Sequence, residues 1–109
     1  MAQTPNLSKT IMFRSKAYRE GGRDLACIRC GAEDGTVVGA HYCGKYANRL
    51  GRGAGMKAHD LVADFCAACH TEFDTYRLHN SDDRAAEFML CIVLTMVRRI
   101  EQGIVVVKG

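Results

Sequence analysis

Two short motifs constrain this chain more than any other feature: Cys27-x-x-Cys30 and Cys66-x-x-Cys69, separated by 35 residues. A two-residue gap lets one tight turn present two sulfurs to one ion. Two such turns complete the four-ligand tetrahedral shell that Zn²⁺ prefers. Gly31, directly after the first pair, supplies the backbone freedom a knuckle needs. The second pair opens a helical pattern that begins near Cys66 and runs to about Leu78, and the positive end of a helix stabilises thiolates. One knuckle on a hairpin plus one pair in a helix's first turn is a treble-clef layout. Neither pair sits in the βαβ pattern that a redox-active CxxC would need. The expectation is a structural zinc bound by Cys27, Cys30, Cys66 and Cys69.

A staple is plausible on size grounds. The chain has 109 residues and no Trp, near the lower end of what a hydrophobic core stabilises alone. At 48% hydrophobic with one proline, it is no disordered or low-complexity segment. Disulfides are the less expected use of its cysteines. Residues Met1 to Lys9 carry no apolar stretch or cleavage site for export, so a cytoplasmic, reducing location is expected. The longest apolar run, Phe88 to Val97, falls short of the roughly 18 residues of a membrane span. Cys91, inside that run, reads as a small core residue. Cys43 reads as either a shield for the site or an incidental buried thiol, with the second favoured.

The pattern predicts one α+β domain over 1–109, with a zinc-bearing core at about 26–79 and flanking helices at about 11–21 and 82–102. The first helix is basic and stops at Gly21-Gly22. A turn-rich hairpin follows, with turns at Cys27–Gly31 and Glu33–Gly35 and a strand over Thr36–His41. Gly44 to Gly55 is a glycine-rich loop. The closing helix is capped by Asn80 or Ser81, with Asp82 and Asp83 at its positive end and Arg98 and Arg99 at its negative end. Its apolar stripe is read as Ala85, Ala86, Met89, Ile92, Val93, Met96, Val97 and Ile100. Gly103 ends it, and the β-branched run Ile104–Val107 is expected to form a short edge strand.

Charge is distributed unevenly. The net charge is a modest +3, yet residues 1–60 hold ten Lys or Arg against five Asp or Glu. Lys45, Arg49, Arg52 and Lys57 lie between His41 and His59 with no acid among them. Interspersed glycines let such a loop approach a phosphate chain closely, and its cations neutralise it. DNA, contacted through its backbone, is the expected partner, with Arg14, Lys16 and Arg19 extending the surface. Composition alone suits a solvated loop equally well.

In order, these residues are a CxxC, a strand ending in His41, a loop, and a CxxC followed at once by His70. This resembles the zinc-stapled HNH endonucleases of the His-Me finger (ββα-metal) class. In its detail, Gly51-x-Gly53-x-Gly55-x-Lys57 and Cys66-Ala67-Ala68-Cys69-His70-Thr71-Glu72-Phe73-Asp74, it is similar to small prophage-encoded nucleases of the YbcO type. The resemblance covers Cys27 to Asp74. It implies a metal-dependent endonuclease acting on DNA in phage or prophage metabolism. It further implies His41 as general base, and His70 with Asp74, one helical turn on, as ligands of a catalytic Mg²⁺ or Mn²⁺. The chain departs from the family at Ala40, where many members carry Asp or His as a metal ligand. The family's middle Asn has no counterpart at its usual spacing, although His59 and Asp60 lie nearby.

Each residue also has a plainer reading. A lone His at a strand end is commonly a half-buried polar residue, His70 suits a helix surface, and Asp74 could pair with Arg77. His59 and His79 carry no assigned role. Two other classes therefore stay open: a non-catalytic nucleic-acid-binding module, and a zinc-stabilised adaptor that pairs through Ile104–Val107. Whether the chain forms a homodimer does not follow from the sequence.

Overall fold

In the computed structural model of the chain, residues 13–44, 46, 49, 59–75 and 81–109 are described. Strand β1 (Val38–His41) pairs antiparallel with β2 (Val62–Phe65), in the register Val38↔Phe65, Gly39↔Asp64, Ala40↔Ala63 and His41↔Val62. A pair of four-residue strands is marginal in water unless its faces are covered. Here every residue of β2 is buried. Helix α1 (Lys16–Glu20) closes on β1 so tightly that a Cβ on Gly39 would lie 2.3 Å from the Arg19 carbonyl oxygen.

Two further helices complete the described elements. Helix α2 (Ala67–Asp74) starts directly after β2, with Cys66 as its N-cap residue in extended backbone. Helix α3 (Asp82–Glu101) lies against β2. Its N-cap is Ser81, whose hydroxyl accepts from the Arg84 N–H, and Asp82 and Asp83 occupy its first turn as expected. Tyr42, Phe65, Phe73 and Phe88 form an aromatic core, with Phe65 stacked on Phe73 at 5.0 Å and Phe88 edge-on to the other three. Cys27, Cys66, Cys69 and Cys91 belong to the same core.

A buried ion pair locks α3 to the sheet. Asp64 and Arg99 are both 0% exposed, and Arg99 grips the carboxylate with two N–H groups. Arg98 reaches Asp64 at 3.0 Å and the Ala26 carbonyl at 2.8 Å, while Arg99 Nε donates to the Tyr18 carbonyl at 2.7 Å. The Asp64 N–H donates to Thr95 Oγ1 at 3.1 Å. Gly22 abuts this carboxylate so closely that a Cβ there would sit 2.2 Å from it. Close approach, rather than helix termination through positive φ, is therefore what this position asks of glycine.

Four sequence expectations are corrected. Residues 13–15 are not helical, because Ser15 acts as the N-cap and its hydroxyl accepts from the Tyr18 N–H; helix α1 therefore begins at Lys16, not near 11. On α3 the buried stripe is Ala85, Phe88, Cys91, Ile92, Thr95 and Arg99, while Ala86, Val93, Met96, Val97 and Ile100 face solvent. Between Phe88 and Val97 the helix has apolar residues on both its core and its solvent sides, and the Asp64–Arg99 pair fixes which side turns inward. Ile104–Val107 forms no strand: the Ile104 and Val105 N–H groups fold back onto the Arg99 carbonyl, and Val106 is 80% exposed. β-Branched character makes a strand only where another strand is available to pair. Helix α2 stops at Asp74, short of the expected end near Leu78, because Thr75 turns to extended backbone as the C-cap while its N–H closes on the Thr71 carbonyl. The Asn80 cap and residues 1–12 lie outside the described residues. No helix among the described residues is long and apolar enough to cross a membrane.

Candidate functional site

The two cysteine pairs converge. Sγ atoms of Cys27, Cys30, Cys66 and Cys69 all lie within 4.8 Å of one another, and Cys30 and Cys66 are 3.7 Å apart. A regular tetrahedron with metal–sulfur bonds of about 2.3 Å has sulfur–sulfur edges of about 3.8 Å. A disulfide would need about 2.05 Å, and all six cysteines are free thiols. The cluster therefore fits a structural Zn²⁺ by donor type, number and spacing.

Local geometry explains the convergence. Gly31, at φ 79°, turns the knuckle, and its N–H donates to the Cys27 carbonyl at 2.9 Å. The Ile28 N–H donates to the Asp64 carbonyl at 2.8 Å, fixing the knuckle to β2. Cys66 follows β2 immediately, and the Ala67 N–H is held by Thr36 Oγ1 at 2.8 Å. Burial raises the Cys27 thiol pKa, but backbone N–H groups of Cys30, Cys66 and Arg29 outweigh it and bring the value to about 6. Burial and the neighbouring sulfurs push Cys69 up to about 12. Burial also raises Cys91 to about 11, as suits an inert core thiol.

Arg29, inside the first knuckle, was not singled out from the sequence. Its guanidinium pairs with Glu72 of α2 at 2.7 Å and Glu87 of α3 at 3.2 Å, and lies 4.7 Å above the Phe73 ring. A cation here offsets the net −2 of four thiolates around a divalent ion and joins the knuckle to two helices.

His41 ends β1, and its side chain is 23% exposed. Its Nε2 lies 2.8 Å from Oδ1 of Asp60, which is 0% exposed. Asp60 also takes the Ser15 N–H at 2.9 Å, Arg19 at 2.9 Å and Arg14 at 3.2 Å. Burial raises the Asp60 carboxyl pKa, but His41, the Ser15 N–H and the two arginines together hold it below the usual carboxylate range. An ionised carboxylate only accepts, so His41 Nε2 carries the proton in this bond. His59 takes a different part: its Nδ1 accepts the Phe13 N–H at 2.9 Å, while the Asp60 N–H donates to the Phe13 carbonyl at 2.8 Å. In the sequence Asp60 stands beside His59 with no role assigned; it is the first acid after Asp34, at the end of the basic loop.

His70 and Asp74 meet on the outer face of α2, Nε2 to Oδ2 at 3.4 Å, and are 37% and 55% exposed. Cys43, just past β1, brings its sulfur to 3.5 Å from Asp74 Oδ1. Among the described residues, the four cysteines are the only group of three or more metal-ligating side chains this close together. Arg49 is exposed, whereas Lys45, Arg52, Lys57 and His79 lie outside the described residues. Compared with known protein families, curated proteins and solved structures, the chain matches none.

The Asp60 network has an acid signature. A carboxylate whose pKa is lowered by folding contributes stability that is fully present above its unfolded pKa of about 3.9 and lost as pH falls through the folded value. In thermal melts of wild type and Asp60→Asn, the gap should stay constant above about pH 5 and shrink below about pH 4. A gap that widens on acidification would contradict the assigned ion pairs.

Proposed function

We propose that this chain is a metal-dependent endonuclease of the HNH, ββα-metal type, hydrolysing DNA phosphodiester bonds on a treble-clef zinc frame. The observation that carries this reading is the His41–Asp60 pair: a partly exposed imidazole at a strand end, its Nε2 held 2.8 Å from a buried carboxylate. An imidazole oriented by a carboxylate is suited to act as a general base toward water. The zinc frame ties the hairpin bearing His41 to the helix bearing His70 and Asp74. A Mg²⁺ or Mn²⁺ held by His70 and Asp74 would neutralise charge on the phosphate. Lys45, Arg49, Arg52 and Lys57 are proposed to contact the DNA backbone, giving affinity without sequence preference.

One observation favours a second reading. Asp60 is gripped by Arg14 and Arg19 as well as His41, as in a buried network that fastens α1 to the hairpin. Under that reading the chain binds nucleic acid without cutting it. A plasmid-nicking assay with Mg²⁺, Mn²⁺ or EDTA, run beside a gel shift, separates the two. His41→Ala should lower nicking by roughly 10²–10⁴-fold with zinc content and DNA affinity retained. A folded His41→Ala protein that cuts at the wild-type rate rejects the general base, and binding without metal-dependent cutting selects the second reading.

A further inference from the structure

The outer side of α3 carries an apolar face that the described fold does not use. Leu90, Val93, Leu94, Met96, Val97 and Ile100 are each 38–56% exposed. Between Ala86 and Val97 only Glu87 and Thr95 are polar. Thr95 is buried, and Glu87 is paired with Arg29 and Arg84. The solvent side of more than three helical turns therefore has no charge of its own.

Spacing sharpens the observation. Ala86, Leu90, Val93, Val97 and Ile100 step by four, three, four and three residues, which is the 3.5-residue period of a seam between two helices. Leu94 and Met96 flank it. None of these six large side chains is needed for the core, which α3 serves with Ala85, Phe88, Cys91, Ile92, Thr95 and Arg99. A single helix thus bears two apolar faces, one already occupied.

We infer that this second face pairs with the same face of a second copy of the chain, as an antiparallel two-helix seam centred on Val93. Three arguments select that occupant. A seam needs a partner of matching period, and a second copy supplies it by construction. A face without charge is complementary to itself, as a two-fold interface requires, and offers a charged partner nothing. Area is the third. Six side chains about half exposed present on the order of 500 Å², so a pair removes roughly 1,000 Å² from water, the lower bound for a specific interface. The antiparallel sense keeps the exposed Asp82 and Asp83 of the two copies at opposite ends of a helix about 30 Å long.

Sedimentation equilibrium of the zinc-loaded protein tests this. Wild type should be a dimer with a dissociation constant on the order of micromolar, typical of interfaces at this size limit. Val93→Glu and, separately, Leu90→Lys should each weaken it at least tenfold, with zinc content and helical circular dichroism unchanged because both positions face solvent. Ile100→Glu should weaken it too, and adding Ala86→Lys should restore it, since only antiparallel pairing brings these positions together. A wild-type monomer, or a dimer indifferent to both Val93→Glu and Leu90→Lys, overturns the seam. Failure of Ala86→Lys to rescue overturns its antiparallel sense.

Discussion

Removing the metal should unfold the chain. A strong chelator, or Cys66→Ser, is expected to abolish the cooperative thermal transition and most near-ultraviolet dichroism. Re-addition of Zn²⁺ should restore both in the chelated wild type. The magnitude follows from two scales. Structural zinc supplies roughly 10–16 kcal/mol of apparent binding energy in small domains, against a total stability of about 5–15 kcal/mol for an ordinary fold. Two four-residue strands and a five-residue helix are poor insurance against that loss. The cluster is also central: Cys27, Cys66 and Cys69 pack within the same core as Phe65, Phe73 and Phe88. Cys91→Ala serves as the control, losing some packing but no metal. A chain that stays cooperatively folded and metal-free in the chelator would refute the structural role.

Asp64→Ala carries the second largest expected effect. It leaves Arg99, 0% exposed, without its carboxylate, and strips Arg98 of one partner. Removing one member of a buried pair typically costs about 3–5 kcal/mol, because the remaining charge stays desolvated. Urea titration of the zinc-loaded protein should show a loss of that size. Replacing both members, as in Asp64→Leu with Arg99→Met, should recover much of it, since no lone charge then remains. Equal losses in the single and double variants would mean that packing around Gly22 and Thr95, rather than charge, sets the cost.

Whatever depended on neighbours in sequence was readable without coordinates. The CxxC spacings and Gly31 are properties of single turns, and the four sulfurs meet as that spacing demanded. Ser81, Asp82 and Asp83 mark the start of α3 because capping and the helix dipole act within one turn. His70 and Asp74 share a helix face for the same reason. Difficulties began where periodicity lost contrast. On α3 apolar residues occupy both the core side and much of the solvent side, and the chosen stripe fell largely on the solvent side.

The cysteine frame, the α+β class and the long closing helix were thus determined by the chain's own local chemistry. Tertiary structure alone decided which face of α3 turns inward, because Asp64 lies 35 residues from Arg99 and only a completed sheet brings them together. It likewise decided that His41 works with Asp60 across the basic loop, and that Arg29 clamps the knuckle to two helices. It also left Ile104–Val107 unpaired, since strand propensity needs a neighbour to act on. Charged partners distant in sequence leave no periodic trace. Their pairing is a consequence of burial, which drives each carboxylate to the nearest cation the fold provides.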